Sequence, residues 1–289
     1  MQSEAEINLQ FDLEGAVVEM QPYIIRVVGE GAAVKERFAM RPDLKYGEGA
    51  DDRLDLYLPA VTPAPLFFFI HGGWWRSQSK EMHAGFARGM LERGFAVAMP
   101  EYTLCPCGTI PTITDQMRRA LSWLYREANN FSILRDRFIV AGHSAGGQQT
   151  AMACLPGWTA RYGLPPNLVK GAIPISGLFD LRPFRFSWLQ PALQLDAASV
   201  EQESAIDHIS EGMPPQIVTL GGHESLGFHQ QSTDYVGRVR RKGNECETFD
   251  QPGRNHFTAL YDLFSGNSAL TSRIVSFAQV CFEHSETTP

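Results

Sequence analysis

Three residue types in this chain, in one order, could carry out nucleophilic catalysis: a serine, a carboxylate and a histidine. The serine is Ser144, in Gly142-His143-Ser144-Ala145-Gly146. This fits Gly-x-Ser-x-Gly, the pattern of a sharp strand-to-helix turn that lifts a serine hydroxyl clear of a packed sheet. The required context is present. The apolar run Phe138 to Ala141 reads as a buried strand, and Gly147 to Met152 is compatible with a helix. Glycines beside the serine tolerate the unusual dihedrals of such a turn and let two backbones approach closely.

A serine hydroxyl needs a base within hydrogen-bond reach, and the base needs an orienting carboxylate. On this type of turn the chain order is serine, acid, histidine. Downstream histidines are His208, His223, His229, His256 and His284. His256 lies in Pro252-Gly253-Arg254-Asn255-His256-Phe257, beyond the last expected strand and before a helix, where the base must sit. His229 falls on an expected helix, His284 in the tail and His208 in an irregular segment. For the acid, Glu224 follows the expected strand Gln216 to Leu220, and Asp180 follows the expected strand Val169 to Ser176. Both would lie at the carboxyl edge of the sheet, so Glu224 is favoured and Asp180 is its rival. Asp250 is too near His256 along the chain. The negative charge developing on the reacting oxygen needs backbone amides aimed at it. Ala145 supplies one by the geometry of the turn. His71-Gly72-Gly73 supplies the others, because glycines expose their N–H groups. Trp74 and Trp75 follow at once; one is expected to line the acyl pocket and the other to pack in the core. A tryptophan beside this loop leaves room only for a small acyl group.

The elements that must position these residues alternate strand and helix. Asp43 to Tyr46 and Arg53 to Leu58 read as strands, the second with period-2 alternation at Leu54, Leu56 and Leu58. Leu66 to Ile70 and Phe95 to Met99 look like central strands covered on both faces. Helices are expected over Glu81–Arg93, Pro111–Asn130, His229–Lys242 and Ala269–Glu283, with a last strand over Glu245–Phe249 and a disordered tail over Ser285–Pro289. Such a rhythm gives an α/β fold, a mostly parallel sheet flanked by helices, in one domain over residues 1–289. Residues of about 182–210 form no clean strand and read as a cap insertion, with Phe184, Phe186 and Trp188 able to hold a planar leaving group. The first 40 residues are hard to read; Tyr23 to Phe38 has only loose helical spacing, interrupted by Gly29 and Gly31.

The composition is that of an ordinary globular protein. The chain has 289 residues, 44% hydrophobic and 20% charged, with a net charge of -7. That balance and the absence of basic runs argue against nucleic acid or an anionic membrane as partner. No apolar run is long enough to span a bilayer. The N-terminus lacks the features of a signal peptide, and five cysteines, an odd number, suit a reducing cytoplasm. Cys105-Pro106-Cys107 has neither the spacing nor the partners of a metal or redox site. The expected partner is a small-molecule substrate, and homodimerisation is left open.

Taken together, these motifs resemble a family. His71-Gly72-Gly73-Trp74-Trp75 is similar to the His-Gly-Gly-x-Trp signature of arylformamidases, also called kynurenine formamidases, and their esterase relatives. Pro100 to Pro106, Gly142 to Gly147, Ser176 to Leu181, His229 to Ser232 and Asn255-His256-Phe257 resemble the family as well, over a span from Asp43 to the C-terminal helix. The resemblance implies an α/β-hydrolase fold with a small cap and neither metal nor organic cofactor. It implies Ser144 as nucleophile, Glu224 as acid and His256 as base, acting on a formyl-like amide of an aromatic or heteroaromatic amine, or alternatively on small esters. Substrate contacts are expected at Trp74, Trp75, Tyr102 and His143. Two departures stand out. The family's acid is usually Asp, and its Pro-Glu-Phe after the acid is here Leu226-Gly227-Phe228.

Overall fold

The structure, a computed structural model, describes residues 3–11, 13 and 20–287. The chain opens with helices α1 (Glu4–Phe11) and α2 (Met20–Arg37), then runs through strands β1 (Ala39–Lys45), β2 (Arg53–Leu58) and β3 (Ala64–Ile70). After a 3₁₀ turn come α3 (Arg88–Glu92), β4 (Ala96–Pro100) and α4 (Ile110–Glu127). Next are β5 (Ile133–His143), α5 (Ala145–Cys154), α6 (Trp158–Arg161) and β6 (Val169–Ile175). The short cap helices α7 (Gln190–Leu193) and α8 (Ala197–Glu203) precede β7 (Gln216–Gly221), α9 (Leu226–Arg241), β8 (Cys246–Gln251) and α10 (Ala269–Thr287).

The strands form one sheet in the order β1-β2-β4-β3-β5-β6-β7-β8. β2 pairs antiparallel with both β1 and β4, and every pairing from β4 through β3 to β8 is parallel. Alternation along β3 divides the core. Leu66, Phe68 and Ile70 point to the face covered by α4 and the cap, and Phe67 and Phe69 to the face covered by α2, α3 and α10. Burial on both faces is why this strand reads as an unbroken apolar run.

Several boundaries differ from the sequence reading. The loosely periodic segment near Tyr23 is an 18-residue helix, whose Val27 and Val34 are buried. β1 begins at Ala39, four residues before the expected start. The segment expected as one helix from Glu81 is a 3₁₀ turn (Glu81–Ala87) leading into α3. α9 begins at Leu226 rather than His229, which puts Gly227 and Phe228 in its first turn. α10 continues through Ser285, Glu286 and Thr287, where a tail was expected; Thr288 and Pro289 lie outside the described residues. Most consequential, the N-terminal residues that resemble nothing form α1, which packs against the cap and α9.

The turn after β5 is sterically determined. A β-carbon on Gly146 would lie 2.1 Å from the Ile70 carbonyl oxygen, far inside van der Waals contact, and one on Gly142 would collide with the Gly146 carbonyl. Gly146→Ala is therefore expected to cost about 2–3 kcal/mol, a melting temperature lower by roughly 3–5 °C, read by calorimetry. A fall under about 1 °C would show that the turn has slack.

Candidate active site

Ser144 stands between the end of β5 and the start of α5 with φ 58° and ψ −116°. A non-glycine residue held there stores on the order of 1–2 kcal/mol of backbone strain. The surroundings enforce it. The Ser144 N–H donates to Ile175 O at 2.8 Å, and Ser144 O accepts the amides of Gly147 at 2.9 Å and Gln148 at 3.1 Å. Ala145 and Gly146 open α5, so their amides belong to the unpaired first turn of a helix, with its partial positive charge. Ser144 itself is 2% exposed.

Glu224 and His256, the expected acid and base, are in direct contact. His256 Nδ1 lies 2.6 Å from Glu224 Oε2. The other carboxylate oxygen accepts the Ser176 hydroxyl at 2.6 Å and the Gly221 N–H at 2.7 Å. With Nδ1–H donated to a carboxylate, Nε2 keeps its lone pair for a proton. Close approach of two loops makes this possible. The amides of Gly222 and His223 donate to Gln251 O and Arg254 O, continuing the β7–β8 ladder past the strand ends. Gly221 must lack a side chain, since a β-carbon there would lie 2.5 Å from Arg254 O. Asp180, the rival acid, is committed elsewhere: Oδ1 accepts the Arg182 N–H at 2.9 Å and its Nε–H at 2.8 Å.

His143 and Tyr102 differ from expectation. Both are buried, and His143 Nε2 and the Tyr102 hydroxyl are engaged with backbone carbonyls. His143 Nε2 donates to His256 O at 2.9 Å, with the two rings 4.5 Å apart. It braces the base from behind. Burial, then the neighbouring His256 and His83, hold His143 well below the usual imidazole range, so it stays neutral. The Tyr102 hydroxyl donates to His71 O at 3.1 Å and Gly72 O at 3.2 Å, and its ring stacks on His71 at 4.2 Å. It fastens the glycine loop.

That loop is unusually constrained. Gly73, Trp74 and Trp75 all have positive φ, of 111°, 54° and 56°. His71 Nε2 meets Glu101 Oε1 at 2.9 Å, while Glu101 also accepts the amides of Lys80 and Tyr102. Trp75 is the packed member of the pair, its indole N–H donating to Gln148 Oε1 at 3.1 Å. Gly72 lies directly against the nucleophile; a β-carbon there would come within 3.2 Å of Ser144 Cβ. The glycine loop and the start of α5 thus meet at Ser144. Glu101, Gln148 and Ser176 were not singled out from the sequence, because each acts on atoms distant along the chain.

Trp74 belongs to an aromatic cluster. Its ring contacts Phe184 at 5.6 Å, Trp188 at 6.0 Å and Phe228 at 6.3 Å, and Phe228 in turn lies 4.5 Å from His256. Phe186, expected to face a leaving group, is 49% exposed and lies near Arg185 on the outer surface. His208 is likewise at the surface, donating from Nε2 to Glu201 O at 2.7 Å.

Two predictions follow from these contacts. Glu224→Gln should lower kcat by roughly 10³–10⁴, as loss of an orienting carboxylate does elsewhere, whereas Asp180→Ala should change it by less than about fivefold. The opposite ranking in steady-state assays would hand the acid role to Asp180. Stability should also fall on acidification. Burial and the nearby His71 push His83 down to about 3. The folded protein then leaves it neutral between about pH 6.5 and 3, while the unfolded chain binds a proton there. Each such histidine removes up to about 1.4 kcal/mol per pH unit as pH falls through that window, and nothing above it. Urea midpoints should therefore drop less steeply below pH 6 in His83→Phe than in the wild type; parallel profiles would contradict this.

The family model described as BD-FAE matches residues 54–164, which span the glycine loop and the Ser144 turn. Kynurenine formamidase from Salmo salar is 28% identical over 246 residues, 81% of this chain and 80% of that one. Esterase LipC from Mycobacterium tuberculosis is 23% identical over 260 residues, 80% of this chain and 63% of that one. A solved structure from Silicibacter sp. TM1040, provisionally described as a thioesterase, superposes with a TM-score of 0.77 at 30% identity, covering 91% of this chain and 97% of that one. The Silicibacter structure shares the architecture of the present chain. The chain is a hydrolase of the arylformamidase- and esterase-like group of the α/β-hydrolase superfamily.

Proposed function

We propose that Ser144, His256 and Glu224 hydrolyse a small acyl amide, of the formyl class, on an aromatic or heteroaromatic amine. The observation that carries this reading is the 2.6 Å contact of Glu224 with His256 beside a strained nucleophile turn. His256 Nε2 takes the Ser144 proton as Oγ attacks the carbonyl carbon. The oxyanion that forms is met by the amides of Gly72, Gly73 and Ala145, each worth roughly 3–4 kcal/mol to the transition state. Collapse breaks the C–N bond, and His256 returns the proton to the departing amine. A water then gives a proton to His256 and attacks the acyl-serine. The carboxylic acid, formate for a formyl group, leaves as Ser144 regains its hydrogen.

The aromatic cluster around Trp74 supports a small acyl group. It is already packed with aromatic rings, and Trp74 is itself 8% exposed. The likeness to the Salmo salar kynurenine formamidase points the same way. The likeness to esterase LipC favours the second reading, a carboxylesterase for small esters using the same three residues. The two readings separate on purified protein. N-formyl arylamines should be turned over with a kcat/KM at least about tenfold above that of acetyl anilides, consistent with the discrimination a tight pocket achieves against added methylenes. Hydrolysis of short aryl esters with no detectable turnover of any amide would overturn the formamidase reading in favour of the esterase.

A further inference from the structure

The N-terminal helix adds a ring to the aromatic cluster of Trp74 and Phe228, which reaches His256 at 4.5 Å. Phe11, the last residue of α1, is 4% exposed, and its ring lies edge-on to Phe184 at 4.9 Å, Phe228 at 5.2 Å and Trp74 at 6.4 Å. It therefore joins a cluster whose other rings come from the glycine loop, the cap and the first turn of α9. The helix is pinned there by polar contacts as well. Asn8 Oδ1 accepts the Trp188 N–H at 3.1 Å, Gln10 Oε1 accepts the Gly227 N–H at 2.8 Å, and the Ser225 hydroxyl donates to Gln10 O.

Gly227 makes room for this arrangement. A β-carbon there would lie 2.9 Å from Phe11 Cζ and 3.0 Å from Gln10 Cβ. This is the position at which the chain departs from the Pro-Glu-Phe that the resemblance leads one to expect after the acid. A glutamate at that site would occupy the space that α1 fills. The exchange at residue 227 and the docking of α1 are thus one feature seen from two sides.

Chemistry says which half of the substrate meets this cluster. After the first step the leaving group must depart, whereas the acyl group stays bonded to Ser144 until water arrives. A packed, apolar cluster suits the half that stays. We infer that Phe11 is a specificity-determining residue that sets the upper size of the acyl group, held in place by the fit of α1 against Gly227. This rests on the serine-hydrolase reading above. Phe11 makes no contact with the reacting groups and acts by excluding volume, in the way that a packed pocket discriminates between substrates by a methylene or more.

The test is a series of nitrophenyl esters with one leaving group and acyl chains from acetyl to hexanoyl, assayed on the full chain. Phe11→Ala should raise the hexanoyl-to-acetyl ratio of kcat/KM by at least about tenfold. Gly227→Ala should move it in the same direction by displacing α1, with Phe11 intact. Phe11→Leu, a milder change that keeps the packing largely filled, should fall between Phe11→Ala and the wild type. Ratios within about twofold of the wild type in all three variants, at unchanged circular dichroism, would overturn the inference alone. A wild-type protein that hydrolyses no member of the series and whose Ser144 an aryl fluorophosphonate leaves unlabelled would overturn the serine-hydrolase reading and this inference with it; a labelled Ser144 with no turnover of any member in the wild type or the three variants would overturn the inference alone.

Discussion

The site depends on one close passage of backbone. Gly146, in the first turn of α5, runs so near the Ile70 carbonyl that no side chain fits between them. Ile70 is the last residue of β3, and the glycine loop begins at the next residue. The contact therefore locks the nucleophile turn against the strand that launches the loop. Ser144 accepts its strained dihedrals because the passage leaves it no relaxed alternative. Gly72 then falls against Ser144, and Tyr102 and Glu101 hold the loop that carries it.

The pair Glu224–His256 is built on a similar principle at the neighbouring sheet edge. Gly221 lets the His256 loop approach, and two extra backbone hydrogen bonds zip that loop to the acid loop. Glutamate, longer than the aspartate the family usually carries, is accommodated by anchoring its second oxygen on Ser176 and on the Gly221 amide of its own loop. The longer arm is thus held at three points. His143 closes the arrangement from behind, a neutral imidazole wedged between the nucleophile turn and the base.

Much of this was legible in the sequence because it is local. The Ser144 turn, the glycines at 72 and 73, and the positions of Glu224 and His256 just past strand ends all follow from patterns spanning a few residues. The central strands were legible for the same reason, since burial on both faces leaves unbroken apolar runs such as Leu66 to Ile70. What escaped was long-range. Tyr102 donates its hydroxyl, and His143 its Nε2–H, to backbone carbonyls far along the chain, which spacing does not reveal. Asp180 is the rival to the favoured Glu224 until the structure shows its carboxylate held by Arg182. Helix α1 carries little helical amphipathicity of its own and is defined by what it docks on: Phe11 in an aromatic box and Gln10 against Gly227, more than 200 residues away along the chain. The unremarkable glycine at 227 acquires meaning only when that helix is in place.

The account stands or falls on Ser144 acting as a nucleophile within this frame. The most direct measurement is active-site labelling with an aryl fluorophosphonate, followed by peptide mass spectrometry, on the wild type and on His256→Ala. A single adduct on Ser144, formed rapidly in the wild type and at least about a thousandfold more slowly without the base, is the predicted result. Labelling at another serine, or a rate on Ser144 indifferent to His256, would contradict it.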